Sequence, residues 1–330
     1  MEDQAKLRII YLYNILSQYT NEKHQLTTNQ INEKLIELYN APVNRNTLTH
    51  DLILMKNAGI GIEAYRGTQN RYYFSGYPFT PGELKILIDA VASSRFIPEK
   101  RSKELIGKLS KLTNEYDAEK LFTNVIPDAR VKSENDIGYN MVETVNNAIS
   151  NKERISFQYL DYDVRGKRIT RHNGERYIVS PYALVWDGDY YYLIGWSENR
   201  KEVRNYRLDR IKEMPIRLGK EDFVKKPEDF NLKEYRKTVF RMFGNGEPVA
   251  VTLQGETHTM KGLIDNFGSK CGAKAIDKNH YQVTVKVVPS PTFFRWVFGW
   301  DGAMKIIGPE NIREEYRNMI MRALEKDGSK

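Results

Sequence analysis

Tyrosine and arginine side chains in the middle of the chain have the chemistry to bind a phosphate-bearing molecule. The set consists of Tyr159, Arg176, Tyr192, Arg207 and Arg210. A guanidinium group can donate two parallel hydrogen bonds to a phosphate, and an aromatic ring can stack on a base. Alternatively, these residues have a structural role, because tyrosines commonly belong to a protein core and arginines are commonly solvated or paired with neighbours such as Asp209. A nucleotide or a short single-stranded nucleic acid is the ligand that this set predicts.

A second polar set near the N-terminus could read the bases of duplex DNA. It consists of Arg45, Asn46, Thr49 and His50. Leu48, Leu52 and Met55 are spaced as the buried face of a helix from about Arg45 to Ala58, so the polar set points away from that face. Such side chains donate and accept hydrogen bonds at base edges. A solvated surface helix would show the same pattern, and this alternative stays open at the level of sequence.

Two arginines flank a predicted turn shortly after this helix. Arg66 and Arg71 lie on either side of residues 67–70, between apolar segments that are typical of two short strands. A hairpin of this size after a helix is typical of a wing, whose tip contacts phosphates or a minor groove. We therefore expect Arg66 and Arg71 to contact DNA.

The elements that carry these residues predict a winged helix-turn-helix over residues 1–75. An amphipathic helix with Ile9, Leu12, Tyr13 and Leu16 on one face comes first. A second helix begins with a capping box at Thr27 and buries Ile31, Leu35 and Leu38. Residues 43–52, followed by residues 59–62, resemble the DeoR-like winged helices. The resemblance implies that the third helix reads an operator, although that family often has arginine at the position of His50.

Residues 76–138 are predicted to be a helical linker. A capping box at Thr80 and Glu83 opens a helix through about Ser94, and a second helix is expected from Pro98 to about Asn114. Neither helix contains a catalytic constellation, so a connecting role is the simplest interpretation.

Residues 139–216 predict a small β-barrel. Apolar residues alternate from Ile155 to Tyr159, the segments 177–186 and 190–196 flank the turn dipeptide Asp187–Gly188, and a further strand is expected over residues 203–211. The segments 180–185, 191–193 and 206–211 resemble the WYL domain, an Sm-like barrel, with Tyr191 replacing its usual tryptophan. The resemblance implies a sensor whose relatives are thought to bind nucleotides or single-stranded DNA.

Residues 231–330 alternate strand and helix patterns and predict an α+β sandwich. Residues 294–299 and 307–312 resemble the extension that follows many WYL domains. This resemblance implies a dimerisation module.

Several function classes lack support in the sequence. The single cysteine, the absence of a signal peptide and the absence of a long apolar run favour a cytoplasmic protein without a membrane segment. The five histidines are far apart, and neither a metal-ligand spacing nor a phosphate-binding glycine loop is present. We therefore expect no enzyme activity, no cofactor and no metal. The net charge of +8 suggests a polyanionic partner, but its excess lies in the C-terminal half, away from the predicted winged helix.

Together these observations predict an α+β multidomain protein that acts as a homodimeric transcriptional regulator. Its partners would be an inverted-repeat DNA operator and a nucleotide or single-stranded ligand that alters operator binding. The alternative is a nucleic-acid-binding protein without a ligand response.

Overall fold

The structure is a computed structural model that describes residues 2–65, 67–123, 132–133, 136–228, 230–242 and 247–328. It combines helices and several separate sheets, as expected for an α+β chain with more than one domain. The chain divides into two compact units, Met1–Asp136 and Ile137–Lys330. Among the described helices, none is both long and apolar enough to cross a membrane.

The first unit starts with three helices and a small antiparallel sheet. The elements are α1 (Glu2–Tyr19), β1 (Leu26–Thr27), α2 (Thr28–Tyr39), α3 (Arg45–Asn57), β2 (Ile62–Tyr65) and β3 (Arg71–Phe74), with strand order β1-β3-β2. The predicted caps are present. Thr27 and Gln30 form the capping box of α2, and the Asn44 side chain accepts a hydrogen bond from the Thr47 amide at 2.9 Å. These caps fix where α2 and α3 begin.

The core of this three-helix part follows the predicted apolar spacing with two exceptions. Most of the predicted apolar positions on α1, α2 and α3 are buried, including all three on α3. Tyr13 and Leu38, expected on buried faces, are 43% and 42% exposed. Tyr13 lies at the margin of the core with its ring edge-on to Phe74 at 5.5 Å, and Leu38 lies in the last turn of α2.

Three further helices complete the first unit. They are α4 (Pro81–Ser93), α5 (Glu99–Leu109) and α6 (Glu115–Thr123). The predicted single helix up to Asn114 is wrong. A short 3-10 turn follows α5, and the Asn114 carboxamide accepts a hydrogen bond from the Asp117 amide at 3.0 Å at the start of α6. Asn114 is fully buried and also accepts a hydrogen bond from the Asn21 side chain at 3.2 Å, which joins α6 to the end of α1.

The second unit begins with a helix and a five-stranded antiparallel sheet. The elements are α7 (Asp136–Asn151), β4 (Arg154–Phe157), β5 (Leu160–Tyr162), β6 (Arg168–Thr170), β7 (Tyr177–Asp187), β8 (Tyr190–Ser197), β9 (Glu202–Arg207) and β10 (Ile216–Gly219). The sheet order is β10-β4-β7-β8-β9, and β5 pairs with β6 separately. The predicted hairpin at Asp187–Gly188 is confirmed, because Asp187 pairs with Tyr190 and Gly188 adopts a left-handed φ of +56°.

One strand is shorter than its sequence pattern predicted. The expected strand over residues 203–211 ends at Arg207, and Leu208–Arg210 form a 3-10 turn. Leu208, the first residue of this turn, is fully buried. A Cβ added to Gly138 on α7 would lie 3.2 Å from the Asp209 Cα, so α7 packs directly against this turn.

The C-terminal part of the second unit is a four-stranded antiparallel sheet with helices. The elements are α8 (Leu232–Thr238), β11 (Val249–Glu256), α9 (Met260–Phe267), β12 (Lys274–Ala275), β13 (His280–Val287), α10 (Pro291–Phe298), β14 (Met304–Gly308) and α11 (Glu310–Gly328). The strand order is β12-β13-β11-β14. Along β13, buried and exposed residues alternate strictly from Tyr281 to Val287, so one face of the sheet forms the core.

Candidate nucleic-acid and ligand-binding sites

The N-terminal turns of α3 present a polar surface. Arg45, Asn46 and His50 are exposed, and within the described residues their side chains make no hydrogen bond or ion pair. Thr49 is half-buried and donates a hydrogen bond from its hydroxyl to the Arg45 carbonyl oxygen at 2.8 Å. Three polar side chains on one helix face are therefore available to an external partner, whereas Thr49 already has a backbone acceptor.

A buried ion pair holds this surface in place. The Arg8 Nε of α1 donates to the Asp51 Oδ2 of α3 at 2.5 Å, and the two side chains are only 19% and 8% exposed. Asp51 is thus a structural acceptor. Arg8 was missed as its partner because the two residues are 43 positions apart in the chain.

The hairpin after α3 presents one of the two predicted arginines. Arg71 is exposed at the start of β3 and pairs across the ladder with Tyr65, whose side chain is 63% exposed. Arg66 lies outside the described residues. Tyr65 was not predicted as a contact residue, although its exposure beside Arg71 gives the hairpin an aromatic group as well as a cation.

Arg207, one of the predicted ligand-binding residues, is held by an ion pair and by an aromatic ring. Its Nε and Nη2 donate to the two carboxylate oxygens of Asp209 at 3.1 Å and 2.7 Å, and its guanidinium lies 3.4 Å from the centre of the Tyr190 ring. Burial favours the neutral form, but the hydrogen bonds and charge of Asp209 outweigh it and raise the pKa of Arg207. Arg207 therefore remains a cation in a half-buried position.

Tyr159 lies beneath this cation and not beside it. Its side chain is 7% exposed within an aromatic cluster, and its hydroxyl accepts a hydrogen bond from the Arg207 amide at 3.0 Å. Burial raises the pKa of this hydroxyl, which stays neutral. The other rings of the cluster are Phe157, Tyr177 and Tyr206. Because only 7% of Tyr159 is exposed, the packed ring offers little surface for the predicted stacking of a base.

Tyr192 and Arg210 flank Arg207. Tyr192 pairs with Arg207 across the β8–β9 ladder, and burial raises the pKa of its hydroxyl against the opposing charges of Arg207 and Arg210. Arg210, in the 3-10 turn, is half-buried and has no hydrogen bond or ion pair with any described residue. Asp209 pairs with Arg207, so Arg210 is the guanidinium of this cluster that has no ion pair within the described residues.

Arg176 makes its contacts at another part of the five-stranded sheet. Its Nε donates to the Ser156 hydroxyl at 2.7 Å, its Nη2 to the Ser156 carbonyl oxygen at 3.0 Å and its Nη1 to Glu213 at 2.5 Å. No described interaction connects it to Arg207 or Arg210. The structure therefore brings together Arg207, Arg210 and Tyr192, with Tyr190 as an additional member, while Arg176 ties strand β4 to the segment before β10. Tyr190 could have been found from the hairpin register, because it lies two residues from Tyr192 on the same strand face.

Comparison with known proteins finds a family match in the part of the chain that contains the five-stranded sheet. Residues 140–216 match the family model described as WYL domain. The chain carries a WYL domain. The matched segment begins in α7 and ends at β10, so it contains the Arg207–Arg210 cluster and its supporting helix. No curated protein matches the sequence significantly.

Two solved structures are similar over nearly the whole chain. Proteasome accessory factor B/C (PafBC) of Arthrobacter aurescens is 18% identical, with a TM-score of 0.28 over 98% of this chain and 48% of that chain. A structure described as a CRISPR Cas-related protein is 13% identical, with a TM-score of 0.39 over 98% of this chain and 84% of that chain. The chain thus spans about half the length of the PafBC chain.

Proposed function

We propose that the chain is a DNA-binding transcriptional regulator whose first 75 residues form a winged helix-turn-helix and whose WYL domain senses a ligand. The observation that carries the proposal is the polar surface of α3, where Arg45, Asn46 and His50 are exposed while Asp51 anchors the helix to Arg8. An anchored helix with free donors and acceptors has the properties needed to read base edges in a major groove. Arg71 on the adjacent hairpin would contact phosphate.

DNA recovered from cells with the bound protein would supply the operator, and fluorescence anisotropy would measure affinity for it. Replacing Asn46 or His50 with alanine should weaken operator binding by about 1 to 3 kcal/mol for each base that the side chain hydrogen-bonds, with little change for unrelated DNA. Asn57→Ala is the matched control, because Asn57 is exposed at the far end of the same helix. Undiminished operator affinity in the Asn46 and His50 double variant would exclude α3 as the reader.

The ligand of the WYL domain is proposed to be a nucleotide or a short single strand bound at the Arg207–Arg210 cluster. Arg210 supports this proposal because a half-buried guanidinium without a described counterion favours an incoming anion. Arg207, held by Asp209, would position the ligand, and Tyr192 would line the site. The WYL resemblance noted in the sequence suggests the same ligand class.

Calorimetry with mononucleotides and short oligonucleotides would test this site. Arg210→Gln should weaken binding by about tenfold or more, since hydrogen bonds to charged groups contribute about 1.5 to 3 kcal/mol. Arg200→Gln removes the same charge from the exposed β8–β9 turn of the same domain and should leave binding unchanged. Equal affinities in both variants would assign Arg210 a structural role only.

The remaining parts of the proposal concern assembly and chemistry. We infer that the C-terminal region, residues 231–330, forms a homodimer that places two recognition helices on an inverted repeat. We also infer that the protein is cytoplasmic, that it is not an enzyme and that it needs no cofactor.

The alternative, a nucleic-acid-binding protein without a ligand response, predicts that operator affinity is the same with and without the ligand. Thermodynamic linkage distinguishes a ligand-responsive regulator from this alternative. A ligand that weakens operator binding must itself bind the protein–DNA complex less tightly than the free protein.

A further inference from the structure

A cleft in the C-terminal sheet region exposes two tryptophans and an arginine along one side of α10. It is lined by Thr292, Arg295, Trp296, Gly299 and Trp300 and has a volume of ≈ 390 Å³. This volume lies within the range of small-molecule sites. The lining residues are spaced three and four positions apart, so they follow a single helix face and continue it past the end of α10.

The two indole rings are held rigidly by the core beneath them. Trp296 packs against Phe240 and Phe267, with ring centroids 5.4 Å and 5.8 Å away. Trp300 lies directly on α9, where a Cβ added to Gly262 would be 2.1 Å from the Trp300 Cζ2. Both rings nevertheless remain partly exposed. Aromatic surfaces that are already fixed lose little conformational entropy when a flat ligand stacks on them.

The charge in the cleft is positive. The Arg295 Nε donates to the Pro291 carbonyl oxygen at 3.1 Å, which holds the guanidinium along the helix surface. Arg295 makes no ion pair within the described part of the chain, and no carboxylate is among the cleft's lining residues. The side chains therefore favour a ligand that has both a planar apolar group and an anionic group.

We propose that this cleft binds a nucleotide, with its base against the tryptophan rings and its phosphate on Arg295. The shared chemistry is a nucleobase joined to a phosphate, supplied either by a free nucleotide or by the end of a single strand. The cleft uses none of the residues of the Arg207–Arg210 cluster. It is a separate site that goes beyond the proposed function and does not depend on it.

Tryptophan fluorescence of the full-length chain provides a direct assay, because a stacked base quenches the indole. The chain has four tryptophans, so Trp186→Phe and Trp196→Phe leave only the two in the cleft as reporters. The probes are AMP, UMP, adenosine and inorganic phosphate. Saturable quenching is expected with AMP and UMP, about tenfold weaker binding with adenosine, and no quenching with phosphate alone.

Two variants test the assigned groups. Arg295→Gln should weaken AMP binding by about tenfold, whereas Arg313→Gln, which removes an exposed arginine paired with Glu310 on α11, should not change it. Gly299→Leu should abolish quenching by filling the cleft. Gly299 tolerates a side chain, because its φ is −64° and an added Cβ would lie no closer than 3.4 Å to its neighbours.

The outcomes distinguish a free nucleotide from the end of a single strand as the ligand, and they support or overturn the proposed site. An oligonucleotide that binds more tightly than AMP, with the same dependence on Arg295, identifies a strand as the source, and the reverse order identifies a free nucleotide. Both results support the site. Absence of saturable quenching by every nucleotide probe, or equal quenching in the parent, Arg295→Gln and Gly299→Leu chains at unchanged melting temperature, would overturn it.

Discussion

The Arg8–Asp51 ion pair is the interaction whose removal should most selectively loosen the proposed DNA-reading surface. Asp51→Asn keeps the size of the side chain but removes its charge, which leaves Arg8 partly buried without a counterion. Removing one partner of a fully buried pair costs about 3 to 5 kcal/mol. Because Arg8 is 19% exposed and can regain some hydration, we expect about 2 to 3 kcal/mol.

Hydrogen exchange measured by mass spectrometry can localise this destabilisation. All four tryptophans lie in the second unit, so selectively excited tryptophan fluorescence does not report on the first. A destabilisation of about 2 to 3 kcal/mol should accelerate exchange of the most protected amides of α1 and α3 by about 30- to 150-fold, since each 1.4 kcal/mol corresponds to tenfold. The fluorescence-detected unfolding of the second unit should not change.

Glu63→Gln on β2 supplies the matched control, because it removes a different ion pair of α3. It breaks the pair between Lys56 of α3 and Glu63, which spans 2.8 Å but is about half exposed on both sides. An exposed pair of this kind contributes about 0 to 1 kcal/mol, so exchange should change by no more than a few-fold. If Asp51→Asn and Glu63→Gln accelerate exchange equally, the buried pair does not anchor α3.

Three further outcomes follow from packing in the second unit. Leu208→Ala should destabilise this unit by about 2 to 5 kcal/mol in fluorescence-detected urea unfolding, because it empties a fully buried position; a change below about 1 kcal/mol would contradict the close packing of Leu208 in the core. Gly262→Ala should lower the melting temperature and shift the tryptophan emission to longer wavelength, since its Cβ overlaps the Trp300 ring; unchanged emission would show that Trp300 is not fixed by this contact. Deleting residues 247–330 should reduce the sedimentation mass to that of a monomer, while Tyr235 and Met242 stay packed on the five-stranded sheet; a persistent dimer would place the interface elsewhere.

Local patterns in the sequence determined most of the elements and the ends of several helices. The capping residues Thr27 and Thr80 start helices as predicted, because a cap needs only a side-chain acceptor and an amide three residues later. The Asp187–Gly188 turn likewise set its hairpin, since a left-handed conformation is a local requirement. The order of residues from 180 to 211 was also sufficient to indicate the WYL domain.

The contacts within the candidate sites could be identified only from the tertiary structure. They join residues that are distant in the chain, or they depend on the place where a strand ends. The sequence does not show that Arg8 forms an ion pair with Asp51. It also does not show that Arg176 binds Ser156 and Glu213, away from the arginines near Tyr192. The alternation of residues 203–211 predicted a strand. The structure instead ends the strand at Arg207 and turns the chain over residues 208–210, so that Asp209 engages Arg207 and Arg210 is left without a hydrogen bond or ion pair within the described residues. Strand periodicity is a local preference of modest energy, whereas the turn lies against α7, whose residues are far from it in the chain, so tertiary packing decided this part of the site.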